Sequence, residues 1–274
     1  MITVFRPETP DELFELVTSQ PAPHYFLAGG TDLLVQHKDG AIGPSTWFDL
    51  TAISEFTGIR QEEGKIVLGA TTTHDELVRS PLIQKYAPVL VQGAEVIGGP
   101  QIRNRGTVGG NLANGSPAAD TAPPLYSLEA EVGMSNGQRT RWLPIADFFL
   151  HVRKTALEPG ELITAVRFPA REGIQGGFMR LGQRRSQAIS KVSVAVSAVG
   201  RFDYLAIACG SVAPTVVRAP RAEAILREQG MAGLEEAGRV ICEEVKPISD
   251  VRSTADYRRA MTGVLLRRVL ESLR

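Results

Sequence analysis

Two glycine-paired turns are the residues of this chain best suited to chemistry. One is Ala28-Gly29-Gly30-Thr31-Asp32. The other closes the run Ile97-Gly98-Gly99-Pro100-Gln101-Ile102-Arg103-Asn104-Arg105-Gly106-Thr107-Val108-Gly109-Gly110-Asn111, which holds five glycines. Glycine lets the backbone reach φ > 0 and approach a ligand without an intervening Cβ. Successive amide N–H groups in such turns form a concave, partly positive nest suited to phosphate. Two of them imply a pyrophosphate gripped from both sides, as a dinucleotide presents. Neither fits the Rossmann pattern, which needs G-x-G-x-x-G and an acidic residue about 20 positions on. No P-loop G-x-x-x-x-G-K-[ST] occurs either. Paired glycines also end helices and make tight turns, so either one alone reads as structural. The polar neighbours Thr31, Asp32, Thr107 and Asn111 favour a ligand for the pair.

The elements that must carry these turns are legible in outline. Thr9-Pro10-Asp11-Glu12 has the form of a capping box with proline at the first helical position, predicting a helix to about Ser19. Residues 25–28 read as a buried strand delivering the first Gly-Gly turn, with further strands at 47–50 and 66–69. Thr73-His74-Asp75-Glu76 is a second capping box, for a helix ending near Ser80-Pro81. Pro88 opens an apolar helix from Val89 to Ile97 that runs into the second turn. Residues 128–134, 139–143 and 162–168 read as strands, the first two split by the hairpin signal Asn136-Gly137. Pro169 to Gly177, rich in glycine, is the candidate boundary. Beyond it, Val192, Val194, Val196 and Ala198 alternate with Ser193 and Ser197, the pattern of a half-buried strand. A turn at 201–203 leads into a strand at 204–211, and helices are expected at 221–229, 234–245 and 255–273.

Composition excludes several classes. With 30 basic and 30 acidic side chains in 274 residues, no global field attracts nucleic acid or an anionic membrane. The arginine pairs at 184–185, 258–259 and 267–268 are scattered and are expected on solvated faces. No apolar run approaches the roughly 18 residues of a membrane span, and residues 1–7 lack the apolar core of a secretory signal. The cytoplasm is the expected location. Cys209 and Cys242 cannot supply the four thiolates of an iron–sulfur cluster or a closed zinc site, and both read as small buried residues. The four histidines show no ligand spacing, so no protein-bound metal is expected.

The segment 101–111, continued by Ala113-Asn114-Gly115-Ser116-Pro117-Ala118-Ala119-Asp120, resembles the signature of one family: the FAD-binding medium subunit of the molybdenum hydroxylases, which include carbon monoxide dehydrogenase and xanthine dehydrogenase. Leu27-Ala28-Gly29-Gly30-Thr31-Asp32-Leu33 is similar to that family's first flavin loop. Further matches are Gly69-Ala70-Thr71-Thr72-Thr73, Glu158-Pro159-Gly160-Glu161-Leu162-Ile163, and the ending from Asp256-Tyr257-Arg258 to Leu265-Leu266-Arg267-Arg268. The resemblance runs from first strand to last helix. It implies an α+β chain: a two-lobed PCMH-type (vanillyl-alcohol-oxidase-like) FAD-binding domain over 1–172, with lobes of about 1–55 and 56–172. A smaller domain of sheet plus helices, of the CO dehydrogenase flavoprotein type, would fill 173–274.

Carried over position by position, the resemblance implies that Leu27, Ala28, Gly29, Gly30, Thr31 and Asp32 form the first phosphate loop. Thr107, Val108, Gly109, Gly110 and Asn111 would form the second. Asp120 matches a contact to the adenosine half of FAD, its alternative role being a helix or turn cap. Ile97 matches an apolar position against the isoalloxazine ring, and Ile163 one near the adenine; both read otherwise as core. Arg180 falls where relatives place a cation near the flavin, and would otherwise be an exposed strand residue. Ile189 follows in a loop close to the flavin in relatives. Some relatives carry acidic residues after the arginine pair, whereas here Arg184-Arg185 precede Ser186-Gln187, which leaves the electron acceptor open among NAD⁺, quinone, dioxygen or a carrier protein. The resemblance further implies a small partner subunit with [2Fe-2S] clusters and a large molybdopterin subunit, assembled as a dimer of heterotrimers, in a cytoplasmic oxidoreductase whose substrate chemistry lies on the large subunit. No catalytic dyad or triad is present in this chain. Two alternatives are a stand-alone FAD oxidoreductase of the same superfamily, such as the reductase of cell-wall sugar-nucleotide synthesis, and a cofactor-free scaffold subunit.

Overall fold

The computed structural model describes residues 1–184 and 187–273, and three sheets organise it. The first is small and parallel. Strands β1 (Ile2–Phe5) and β2 (His24–Leu27) flank β3 (Ser45–Asp49), with helices α1 (Pro10–Ser19) and α2 (Leu33–Lys38) on the connections. Its core gathers Leu13, Phe48, Leu50, Ile53 and Phe56 around Leu162 from the next lobe. Helix α1 begins where expected, with the Thr9 hydroxyl accepting from the Glu12 amide at 3.2 Å. Its box is not reciprocal, because the Glu12 carboxylate instead accepts from the Glu8 amide at 2.8 Å.

The second sheet is antiparallel, in the order β4 (Ile59–Glu62), β5 (Lys65–Gly69), β10 (Leu162–Pro169), β6 (Glu131–Ser135), β7 (Thr140–Pro144). Between β5 and β6 lie six helices: α3 (His74–Arg79), α4 (Pro81–Tyr86), α5 (Pro88–Glu95), α6 (Pro100–Arg103), α7 (Val108–Ala113) and α8 (Ala122–Ser127). The Thr73 capping box is complete, each partner accepting from the other's amide. Between β7 and β10 sit α9 (Ile145–Phe148) and the hairpin of β8 (Phe149–His151) and β9 (Lys154–Thr155). One expected strand shifts: residues 128–130 form the turn that ends α8, with Glu129 at φ 56°, and pairing starts at Glu131.

The third sheet is antiparallel, in the order β11 (Gln175–Leu181), β12 (Val192–Val199), β13 (Tyr204–Gly210), β14 (Val217–Arg218). Helices α10 (Pro220–Gln229), α11 (Leu234–Glu244) and α12 (Ala255–Ser272) follow at the expected places. The expectation of a half-buried β12 fails, because both of its faces are covered. Val192, Val194, Val196 and Ala198 pack with the C-terminal helices, whereas Ala195 belongs to the core of the preceding sheet and helices. Ser197 is fully buried and its hydroxyl meets that of Ser127 at 2.8 Å. Alternation of valine and serine marked two environments, but the serine side meets α8 rather than water. The glycines at 176–177 likewise serve packing inside a strand: a Cβ at Gly176 would lie 2.8 Å from Val89 Cβ, and one at Gly177 2.8 Å from Val269 Cγ1. The Gln92 carboxamide closes this sheet edge, accepting from the Phe178 amide at 2.7 Å.

Arg258 departs from the expected solvated face. It is 5% exposed and donates to the Ser211 carbonyl and the Asp250 carboxylate. Arg185 and Ser186, which entered the argument about the electron acceptor, lie outside the described residues. Cys209 is buried, while Cys242 is half-buried and hydrogen-bonds the Gly238 carbonyl. Among the described residues no helix is long and apolar enough to cross a membrane, and no three His, Cys, Asp or Glu side chains form a metal-sized group.

Candidate functional site

The two glycine turns meet. A cavity of about 640 Å³ is lined by Ala28, Gly29, Gly30, Thr31 and Asp32 from one side and by Gly106, Thr107, Gly110 and Asn111 from the other. Both arise from sheet ends: β2 delivers the first turn, and the segment after β5 holds the second. There the Val108 amide donates to the Thr72 carbonyl, the Gly109 amide to Ala70, and the His74 amide to Gly106. The loops also touch directly. A Cβ at Gly29 would lie 1.9 Å from the Arg105 carbonyl oxygen, so glycine there is required by the neighbouring loop before any ligand arrives.

The nest is one-sided. Helix α7 uses its own first-turn donors: Val108 and Gly109 bond backbone carbonyls, and the Gly110 amide bonds the Thr107 hydroxyl at 3.1 Å. The amides expected to serve a phosphate at Gly109 and Gly110 are thus bonded within the protein, Thr107 acting as the helix cap and the segment after β5 taking the donors of Val108 and Gly109. Gly109 faces the smaller third cavity, where a Cβ would lie 2.7 Å from the Ala70 carbonyl. Gly110 is different. It is exposed to the main cavity, and a Cβ there would meet only the Thr107 hydroxyl, at 3.0 Å. Among the described residues the amides of Gly29, Gly30, Thr31 and Asp32 have no backbone partner. These are the open donors. Asn111 adds a side-chain amide whose orientation is set by the Thr121 hydroxyl, donating to Oδ1 at 2.6 Å.

Two further cavities extend the groove. One of about 550 Å³ is lined by Gly98, Gly99, Gln101, Ile102, Gln187, Ala188 and Ile189, and shares Ile102 with the main cavity. The other, about 80 Å³, is lined by Leu157, Glu161, Leu162 and Ile163 and shares Phe26, Ala28, Gly110 and Ala113 with it. Ile97 lies on the main wall. The apolar residues Ile189 and Ile163 thus border cavities that adjoin the glycine turns separately. Leu27 and Val108 line none of the three; they anchor the loops from β2 and from the core.

Asp120 and Arg180 also lie off the cavity walls, paired with each other. Arg180 Nη1 meets Asp120 Oδ2 at 2.5 Å and the Ala188 carbonyl at 2.9 Å, while Nη2 donates to the Val96 carbonyl at 2.6 Å. The Ser190 hydroxyl bonds Asp120 Oδ1 at 2.6 Å. Both carboxylate oxygens are thus occupied, and the Arg180 side chain is 10% exposed, against the expectation of an exposed strand residue. Burial pushes the Asp120 carboxyl up to about 6, opposed by the Arg180 guanidinium and the Ser190 hydroxyl. It is ionised at neutral pH and loses its charge as the pH falls below that value. The pair joins the segment holding Ile97 to the loop holding Ile189.

The sequence reading passed over His74 and Arg153, both on the main cavity wall. His74 is buried, its Nδ1 has no hydrogen-bond partner, and burial followed by the nearby Arg103 charge lowers its pKa to about 4. It stands at the first position after the cap Thr73, a placement that the capping box predicted without suggesting a cavity. Arg153 sits on the β8–β9 hairpin, which has no turn signal of the Asn-Gly kind.

A mixed helix and sheet chain with this bipartite groove has the architecture of a flavoprotein subunit. A family model described as "FAD binding domain in molybdopterin dehydrogenase" matches residues 1–171, and one described as "CO dehydrogenase flavoprotein C-terminal domain" matches 178–273. The carbon monoxide dehydrogenase medium chain of Hydrogenophaga pseudoflava is 31% identical over 274 residues, covering 97% of this chain and 94% of that protein. A xanthine dehydrogenase FAD-binding subunit of Escherichia coli is 30% identical over 252 residues, covering 89% and 86%. The solved carbon monoxide dehydrogenase from Hydrogenophaga pseudoflava superposes with a TM-score of 0.92 at 31% identity, covering 99% of this chain and 96% of that one. Quinoline 2-oxidoreductase from Pseudomonas putida gives 0.91 at 25% identity, covering 100% and 96%. The chain belongs to the family of FAD-binding medium subunits of the molybdenum hydroxylases, an oxidoreductase family.

Proposed function

We propose that this chain is the FAD-holding electron-transfer subunit of a molybdenum hydroxylase complex, taking electrons from [2Fe-2S] clusters of a small partner subunit and delivering them to a terminal acceptor. Substrate oxidation would belong to a large molybdopterin subunit, in a dimer of heterotrimers. The observation that carries the reading is the single cavity shared by two remote glycine turns. Gly110 lines that cavity from one side, and the residues at 29–32, whose amides have no backbone partner, line it from the other.

The residues present fit FAD. Gly29, Gly30, Thr31 and Asp32 would hold the diphosphate through their amides, with the Asn111 carboxamide opposite. Ile97 and Ile189 would bound the isoalloxazine and Ile163 the adenine. FAD exchanges electrons singly or in pairs, which lets it join a one-electron carrier to a two-electron acceptor. Around it, the protein supplies binding, orientation and electrostatics. The Arg180–Asp120 pair holds two apolar walls in register, and the glycine backbones permit close approach. Purified protein is expected to be yellow and to release FAD on denaturation. A colourless protein that takes up no added FAD would refute the reading. Co-expression with the neighbouring subunits is expected to recover small and large chains in equal amounts.

A further inference from the structure

Arg153 occupies an unusual position for a surface cation. Its backbone is left-handed, φ 54°, at the tip of the β8–β9 hairpin. An arginine carries a Cβ penalty there that glycine escapes and asparagine tolerates better. The tip is pinned to the end of α7: the Arg153 amide donates to the Gly115 carbonyl at 2.9 Å, and a Cβ at Gly115 would lie 3.1 Å from Arg153 Cα. The fold thus fixes where this side chain starts. Arg153 lines the main cavity. Its one hydrogen bond among the described residues is a long one, 3.4 Å to the Asn114 carboxamide, and no carboxylate pairs with it.

The charges around that cavity are few. Asp32 is the lining anion, already bonded by the Gln36 amide at 2.5 Å. His74 is neutral at pH 7, because burial lowers its pKa to about 4. Arg153 is the cation on the wall of the main cavity among the described residues. A diphosphate brings two negative charges, and the α7 amides that might have met them are bonded internally. Backbone dipoles at 29–32 leave net charge unbalanced.

We propose that Arg153 is the counter-cation of the bound diphosphate, held over it by the β8–β9 hairpin acting as a clip. The inference rests on the FAD reading and deepens it: the site selects a flavin bearing a diphosphate by charge, not by backbone shape alone. The guanidinium would replace its long bond to Asn114 with charge-assisted hydrogen bonds to phosphate oxygen.

The test uses the full-length protein stripped of flavin, titrated with FAD and with riboflavin, and followed by flavin fluorescence. Arg153→Gln keeps a polar, unbranched side chain and the same backbone demand while removing the charge; Arg153→Lys keeps the charge and most of the reach. At low salt, Arg153→Gln is expected to weaken FAD binding roughly tenfold to a hundredfold, and Arg153→Lys to recover most of it. The gap is expected to narrow at about 0.5 M salt, where exposed charges are screened. Riboflavin, lacking phosphate, should bind all three proteins alike. Equal FAD affinities of wild type and Arg153→Gln at low salt would overturn the proposal while leaving the FAD reading intact. An equal loss of riboflavin and FAD would also overturn it, by showing a distorted site. Failure of the wild type itself to bind FAD would remove the underlying reading.

Discussion

Replacing His74 tests the physical account of the cavity wall quantitatively. Its imidazole is buried with an unpartnered Nδ1, and Arg103 adds a like charge nearby, so the folded-state pKa falls from 6.5 to about 4. Between these values the unfolded chain binds a proton that the folded chain refuses, and stability rises with pH. The contribution is fully present above 6.5 and is lost as the pH falls through about 4. At about 1.4 kcal/mol per pH unit, that gap amounts to roughly 3 kcal/mol. Urea denaturation of flavin-free protein from about pH 7.5 to about pH 4.5 would measure it, comparing wild type with His74→Phe and His74→Gln. The carboxylates and the other histidines titrate equally in all three proteins and cancel in the differences. The wild type is expected to lose roughly 2–3 kcal/mol more than either variant across that window. At neutral pH His74→Phe should be nearly neutral, since it removes an unsatisfied nitrogen while keeping a ring. Parallel stability curves for wild type and both variants would refute the argument.

The two glycines facing each other across the groove should behave differently. Gly29→Ala is expected to disturb the apoprotein, because the new Cβ collides with the Arg105 carbonyl; a lowered Tm and lost FAD retention check this together. Gly110→Ala is expected to lower Tm less than Gly29→Ala, since its Cβ meets only the Thr107 hydroxyl at 3.0 Å, yet to retain little FAD, because Gly110 lines the cavity. Arg180→Met should cost about 3–5 kcal/mol by leaving the buried Asp120 charge unpaired, and a double-mutant cycle with Asp120→Asn should give a coupling of about 1–3 kcal/mol. Strict additivity would deny the pairing. Glu161, buried and bonded by Arg141 at 2.8 and 2.6 Å, has its pKa lowered first by that arginine. Glu161→Ala should therefore cost about 2–3 kcal/mol at neutral pH, and the cost should fade as the pH drops below the ordinary carboxylate range.

The glycine pairs, capping residues and the Asn136-Gly137 turn announced themselves because each satisfies a local backbone demand. The Thr73 box did so fully. The short helices α4, α6 and α8 went unread although each has proline in its first turn and Ser80 caps α4, because all three are too brief for a periodic apolar stripe. Serine at 193 and 197 read as a wet face because pattern reports polarity, not what lies opposite; Ser127 and α8 supply a polar contact that no local window contains. The site divides in the same way. The loops were legible from their composition. That α7 consumes the amides of Gly109 and Gly110 was not, since the acceptors Ala70 and Thr72 come from another element. The pairing of Asp120 with Arg180 spans 60 residues and depends on tertiary placement alone. Resemblance singled out both residues without revealing that they bond each other.

The doubly covered third sheet has a consequence for how this chain comes into being. Strand β12 has no face left for water, so the helices α5 and α8 present unfinished apolar surface until the last third of the polypeptide arrives. A nascent chain halted after β10 would expose that surface to aggregation or to a chaperone. The groove's far wall at Ile189, tied through Arg180 to the same sheet, would be unset for just as long, although the cavity between the two glycine turns is lined by residues of the first two lobes alone.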